Sequence, residues 1–301
     1  MISAEQTTFI QTLRLLAMKD RLSDAERTLT GARRLQAEGP ARPPARVGRR
    51  VDLSCDDAPG FPVWTFRPKR PADPAHPGRA VLYVHGGGYI MDFAPQHWEF
   101  LADLTERTGS VVRAPQYPLA PGHTWRDTFP PLLDMARGTG GPPPVLMGDS
   151  AGGGLVLALA QTLAAEGGHA PETVLISPFV DATLTDPETA AHDETDPWLA
   201  AEGLRACGRA WAGADDPARP EISPLFGDFT GLGRMLVFTG TRDTLHPQNR
   251  DLARRARAAG VACDLVVALG SIHVYPLLAV PEARGPREAI AAFLAGAPAT
   301  A

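Results

Sequence analysis

Residues 144–165 read PVLMGDSAGGGLVLALAQTLAA: an apolar run, a G-x-S-x-G centred on Ser150, then small and aliphatic residues suited to a buried helix. A nucleophilic serine on a sharp strand-to-helix turn needs neighbours without bulk, here Gly148 and Gly152, so that the turn closes and Oγ stands clear. Asp149 is expected to shape that turn. Glycine and serine frequencies alone would produce such a pentapeptide in about 9% of chains of this size, so its weight rests on what surrounds it.

Upstream, His85-Gly86-Gly87-Gly88 follows directly on the apolar run AVLYV. Consecutive glycines let a loop turn its N–H groups inward, towards a carbonyl held by the serine. Gly86, Gly87, Gly88 and the N–H of Ala151 are therefore candidate donors to an oxyanion, and His85 is expected to fix the loop. A serine also needs a base and an orienting carboxylate, which after such an elbow come later in the chain, carboxylate first. Asp243 follows the run MLVF and His273 follows DLVVALG. One strand–helix–strand repeat separates them, so neighbouring strand ends would bring them together. His246 is the rival base, but it lies three residues after Asp243 at an expected helix start. His76, His97, His123, His169 and His192 are expected in surface or structural roles, and Asp264 at a strand edge.

Further outward, apolar runs alternate with helical patterns, the signature of a parallel sheet with crossover helices. The pattern predicts eight strands, at 51–55, 62–67, 80–84, 110–115, 144–148, 173–178, 235–239 and 263–268. Helices are expected at 97–108, 125–137, 151–166, 246–259 and 283–294. The first two strands leave no room for a helix and should pair as a hairpin. Residues 180–234 break the rhythm, with a helix-like segment at 197–212 between acidic, proline-rich loops. That insertion reads as a cap, with a plain surface excursion as the alternative.

The first fifty residues differ in kind. Ser3-x-x-Gln6 and Ser23-x-x-Glu26 read as capping boxes for two short helices, whose apolar faces would be Phe9, Leu13, Leu16 and Leu29, Ala32, Leu35. The first face is expected to pack with 197–212 above Ser150. Residues 38–50, with three prolines, read as a linker without a helix. The expected organisation is 1–45 as N-terminal cap helices, 46–180 with 221–301 as the catalytic core, and 181–220 as the inserted cap segment.

Composition narrows the function. With 44% apolar and 21% charged residues the chain is a folded globular one, and a net charge of −5 with arginines in scattered pairs gives no grip on nucleic acid. Three widely spaced cysteines suit a reducing compartment. The N-terminus lacks a leader pattern and no apolar run approaches the roughly 18 residues of a membrane span, so a cytoplasmic location is expected. Gly154 and Leu155 stand where a phosphate-binding loop needs Lys and Ser/Thr, and no zinc or dinucleotide spacing occurs. Neither metal nor cofactor is expected. A homodimer is compatible with the sequence, which leaves the oligomeric state open.

Together HGGG, GDSAGGG and the ordered Asp243 and His273 resemble the hormone-sensitive-lipase-like group of bacterial carboxylesterases, and ISPLFGDFTGLGRMLVFTGTRD and IHVYPLL resemble it too. The resemblance implies the α/β-hydrolase fold: a mostly parallel eight-stranded sheet, helices on both faces and a helical cap. It also implies a small-molecule ester substrate of short to medium acyl length, with Ser150 as nucleophile, His273 as base and Asp243 as its partner. Gly87, Gly88 and Ala151 would be the main oxyanion donors. An amidase or formamidase of the same fold is the alternative activity, and a non-catalytic ligand-binding receptor a further one. Two departures stand out. The group's D-Y-R-L-A-P-E reads Gln116-Tyr117-Pro118-Leu119-Ala120-Pro121-Gly122 here, and its Asn after GDSAGG is Gly154.

Overall fold

A computed structural model describes residues 2–70, 78–138, 142–167 and 171–297; His76 and His169 lie outside the described residues. Among them the strands are β1 (Val51–Asp56), β2 (Val63–Pro68), β3 (Ala80–Val84), β4 (Val111–Pro115), β5 (Val145–Asp149), β6 (Thr173–Ile176), β7 (Met235–Gly240) and β8 (Cys263–Ala268). They form one sheet in the order β1-β2-β4-β3-β5-β6-β7-β8. The expected hairpin is β1 with β2, and β2 runs antiparallel to β4. From β4 to β8 every pairing is parallel. This is why the central strands read as unbroken apolar runs: a strand covered on both faces has no solvent side.

The helices are α1 (Ala4–Leu15), α2 (Ala25–Glu38), α3 (Ala45–Arg50), α4 (Pro95–Thr108), α5 (Trp125–Arg137), α6 (Ser150–Ala165), α7 (Thr189–Thr195), α8 (Ala201–Ala212), α9 (His246–Ala258) and α10 (Arg284–Leu294). Strand alternation divides the core. Leu82, Val84, Leu146, Leu175 and Val237 face α5, α6, α8 and α9. Val81, Tyr83, Val145, Met147, Leu236 and Phe238 face α4 and α10.

The N-terminal part departs from expectation in three ways. Residues 38–50 hold a helix, α3, because all three prolines precede it and Pro44 sits at its N-cap, where the missing N–H costs nothing. The cap of α2 is Asp24 rather than Ser23: its carboxylate accepts the N–H of Arg27 at 2.8 Å. The buried face of α1 is Gln6, Ile10 and Leu13, while Leu16 and, on α2, Leu35 are exposed. Ile10 and Leu13 pack with Ile272, Leu278, Val280 and Ala283, the segment after β8. Ser3 Oγ donates to Glu282 at 2.8 Å, and Phe9 meets Trp198 of the inserted segment with ring centroids 6.1 Å apart. It is α2 that packs on α8.

The insertion holds two helices rather than one. Its second, α8, starts at Ala201, four residues later than expected, because Asp196 binds the N–H groups of Trp198 and Leu199 in a turn.

Candidate active site

At the carboxyl end of β5 the chain turns sharply into α6, and Ser150 at the corner has φ of +49°. A non-glycine residue in this region stores about 1–3 kcal/mol of strain, which the surroundings must hold. They hold it by close approach. A Cβ on Gly152 would lie 2.0 Å from the Val84 carbonyl oxygen, and one on Gly148 would lie 2.6 Å from that of Gly152. The Phe179 N–H donates to the Ser150 carbonyl at 2.8 Å.

The glycine loop after β3 is fastened to this elbow by Asp149. Its Oδ1 accepts from the Gly86 N–H at 2.9 Å and from the Tyr83 hydroxyl at 2.6 Å, while Oδ2 meets His97 Nε2 at 3.3 Å. Burial alone would raise this carboxyl, but the neighbouring His97 and the hydrogen bonds outweigh it and hold it below the usual carboxylate range. The Gly86 N–H is therefore engaged. Gly87 and Gly88, at φ of +113° and +61°, have N–H groups without a hydrogen-bond partner among the described residues. The Ala151 N–H, in the first turn of α6, has no carbonyl a turn earlier in its helix. His85 is fully buried; its ring stacks on Tyr117 at 4.4 Å and its carbonyl accepts from the Tyr117 hydroxyl at 2.8 Å. These contacts hold His85 at the start of the glycine loop.

Asp243 and His273 follow neighbouring strands, β7 and β8, and meet: His273 Nδ1 lies 2.9 Å from Asp243 Oδ2. The carboxylate accepts, so Nδ1 carries the proton and Nε2 keeps its lone pair. Burial lowers the affinity of His273 for a second proton, but the charge and hydrogen bond of Asp243 raise it further, and the net pKa lies above the ordinary histidine value. The next residue, Val274, has φ of +48° and donates its N–H to Ser177 Oγ at 3.1 Å. Ser177 and Phe179, just past β6, thus tie the histidine loop and the elbow together. Ser150, Asp243 and His273 are all buried.

The other histidines sit apart from this arrangement. His246 Nδ1 is 3.1 Å from Thr239 Oγ1, its ring lies beside His192, and burial with the nearby His192 and Arg250 pulls its pKa down to about 4. His192 Nδ1 faces the Thr241 carbonyl at 3.2 Å, and His123 is exposed. Asp264 is half-buried on edge strand β8.

Sequence reading missed several supports. His97, assigned only a generic role, braces Asp149. Gln36 of α2 donates to the carbonyls of Ile90 and Ala120 at 2.7 and 2.8 Å, clamping the turn after the glycine loop. Gln116, where the resembling group has Asp, bridges Trp64 Nε1 at 2.7 Å and Asp92 at 3.1 Å without an ion pair of its own. Gly154 is required here: a Cβ would lie 2.1 Å from the Phe179 carbonyl oxygen. For Ser177 a signal existed in its place after a parallel strand at the same sheet edge; for Gln36 there was none.

A family described as the alpha/beta hydrolase fold matches residues 81–277. An esterase of Acinetobacter venetianus is 28% identical over 260 residues, 81% of this chain and 86% of that protein. An ethyl acetate hydrolase of Pseudomonas putida is 32% identical over 238 residues, 74% of each. A solved esterase from the bacterial hormone-sensitive lipase family superposes with a TM-score of 0.81 at 27% identity, covering 98% of both chains. An elbow serine, a glycine loop and a carboxylate-bound histidine at the ends of one parallel sheet are thus accounted for by common descent: the chain belongs to the α/β-hydrolase fold family, in its bacterial hormone-sensitive-lipase-like group.

Proposed function

We propose that the protein is a serine carboxylesterase that hydrolyses small-molecule esters of short to medium acyl length through an acyl-enzyme. The observation that carries this is the 2.9 Å contact of His273 Nδ1 with Asp243 at the carboxyl end of the parallel strands, the end at which Ser150 stands on a strained elbow. With Nδ1–H committed to Asp243, Nε2 takes the Ser150 proton as Oγ attacks the ester carbonyl. The N–H groups of Gly87, Gly88 and Ala151 receive the oxyanion, and Gly86 anchors their loop through Asp149. Nε2 then gives its proton to the departing alkoxide. Water, activated by the same nitrogen, releases the acid and restores Ser150.

The burial of Ser150 and His273 favours small acyl groups, and the name of the Pseudomonas relative points the same way. The assignment of 1–45 and 181–220 to a cap over the core rests on the packing of α2 against α8. No helix among the described residues is long and apolar enough to cross a membrane. We infer a cytoplasmic setting, which the three free, widely spaced cysteines support.

A panel of p-nitrophenyl esters and N-acyl amides tests the reading, with mass spectrometry after fluorophosphonate treatment. We expect kcat/KM to be greatest between about four and eight acyl carbons and to fall at least tenfold by sixteen, because each methylene gains about 0.8 kcal/mol until the pocket wall is met. The label should sit on Ser150. Faster turnover of the amides would replace this reading with the amidase one.

A further inference from the structure

Behind the pair formed by Asp243 and His273 lies a second buried carboxylate, Asp196, at the junction of α7 and α8, which sequence reading did not single out. It is 2% exposed and uses both oxygens. Oδ1 accepts the N–H groups of Trp198 and Leu199 at 2.8 and 3.0 Å. Oδ2 accepts the N–H and hydroxyl of Thr244 at 2.8 and 3.0 Å. The first pair belongs to the inserted segment and the second to the residue next to Asp243. Both sides of this bridge hold the histidine. Asp243 binds its Nδ1, and Trp198 meets the ring edge-on with centroids 6.2 Å apart, itself backed by Phe9 of α1.

We propose that Asp196 is a positioning residue for the reaction: it pins the Asp243 loop to the segment carrying Trp198, so that one side chain fixes both groups that hold the His273 ring. The inference rests on the triad reading above. Four donors on one buried carboxylate are more than packing the insertion would need, since a turn at 196–199 uses only the first pair. The bridge is also open to titration. Burial, then the charge of Asp243, push Asp196 up to about 6, against the N–H groups of Leu199, Thr244 and Trp198 that favour its anion. The ionisable groups facing it are Asp243 and His273 on the core side. On the other side is Lys19, whose Nζ donates to the Asp196 carbonyl at 3.1 Å and pairs with Asp193. Arg14, Asp20 and Glu194 line a cavity of about 270 Å³ that reaches Asp196 from the surface.

An amide accepts on one oxygen only, so Asp196→Asn must give up one of the two donor pairs and also removes a negative charge that acts on His273. The full-length variant is assayed with p-nitrophenyl butyrate across pH 5 to 9, beside Thr244→Val, which loses the hydroxyl donor but keeps the N–H and the charge. We expect Asp196→Asn to lower kcat by about ten- to a hundredfold with KM within about threefold, and to move the acidic limb of the profile to lower pH. Thr244→Val should lower kcat several-fold and leave the limb in place. If Asp196→Asn does not fold, Thr244→Val carries the test by its kcat alone. Folded Asp196→Asn with kcat and acidic limb unchanged overturns the proposal, as does a loss of thermal stability with no change in the profile. Fluorophosphonate labelling of wild-type Ser150 reports separately on the triad, so a failure of that reading shows in the parent enzyme.

Discussion

Asp149, the residue immediately before the elbow serine, holds the N–H of Gly86 at 2.9 Å, so the two motifs that sequence presents as separate are one unit joined by a buried carboxylate. The same oxygen binds the Tyr83 hydroxyl, and His97 braces the other. Removing the carboxylate leaves a buried hydroxyl and a buried N–H without partners. Asp149→Ala should therefore cost about 2–4 kcal/mol in urea unfolding and lower kcat at least a hundredfold as the glycine loop shifts. A loss under about 1 kcal/mol would mean that the loop is held by something else.

Ser150→Ala and His273→Ala should each lower kcat by about five to six orders of magnitude, and Asp243→Asn by about four, since its task is orientation. His246→Ala should remain within about tenfold of wild type, because that imidazole faces Thr239. Steady-state kinetics on one ester decides the matter; damage from His246→Ala equal to that from His273→Ala would refute the assigned base.

The proposed mechanism requires neutral His273, whose pKa is raised above the ordinary histidine value, so kcat/KM should climb with pH with a midpoint above that value. Stability runs the other way for this group. A raised histidine contributes its stabilisation fully below the unfolded pKa and loses it as pH rises through the folded one. Asp149, held low, contributes above the unfolded carboxylate pKa and loses its share as pH falls. A profile flat from pH 5 to 8 would argue against a histidine base.

Gly154→Ala would drive a methyl to 2.1 Å from the Phe179 carbonyl oxygen, the residue whose N–H supports Ser150. Overpacking of this kind costs about 1–3 kcal/mol, and a drop of several degrees in Tm with reduced kcat is expected. Unchanged melting would show that the contact relaxes freely.

Phe9→Ala removes the ring behind Trp198 without touching α2 or α8. We expect kcat to fall several-fold while the acyl-length optimum stays where it was, because α1 supports the histidine side of the site. A shifted optimum would restore the arrangement in which α1 roofs the acyl pocket.

Much of this was legible in the chain because it depends on local chemistry. Ser150 needs Gly148 and Gly152 as near neighbours for its turn to close. Asp243 and His273 announce themselves by following apolar strands one repeat apart. The strands agree within two residues, most plainly the central β3, β5, β6 and β7, whose burial on both faces makes them read as nearly continuous apolar runs. The insertion and N-terminal helices were less readable: α1 has apolar residues on more than one face, and which face is buried depends on what it meets.

What the sequence determined by itself was where the strands lie and which residues were candidates for the reaction, because spacing and residue type constrain both; the order of the strands in the sheet came from the structure. What only the tertiary structure decided was how those groups are held. Gly86 binds Asp149 rather than an oxyanion, Ser177 catches the backbone beside His273, and Asp196 joins the insertion to the Asp243 loop. Each of these bonds links residues at least 48 positions apart through one buried polar atom. No local pattern encodes such a pairing, because the cost of leaving that atom unpaired exists only once the surrounding core has excluded water.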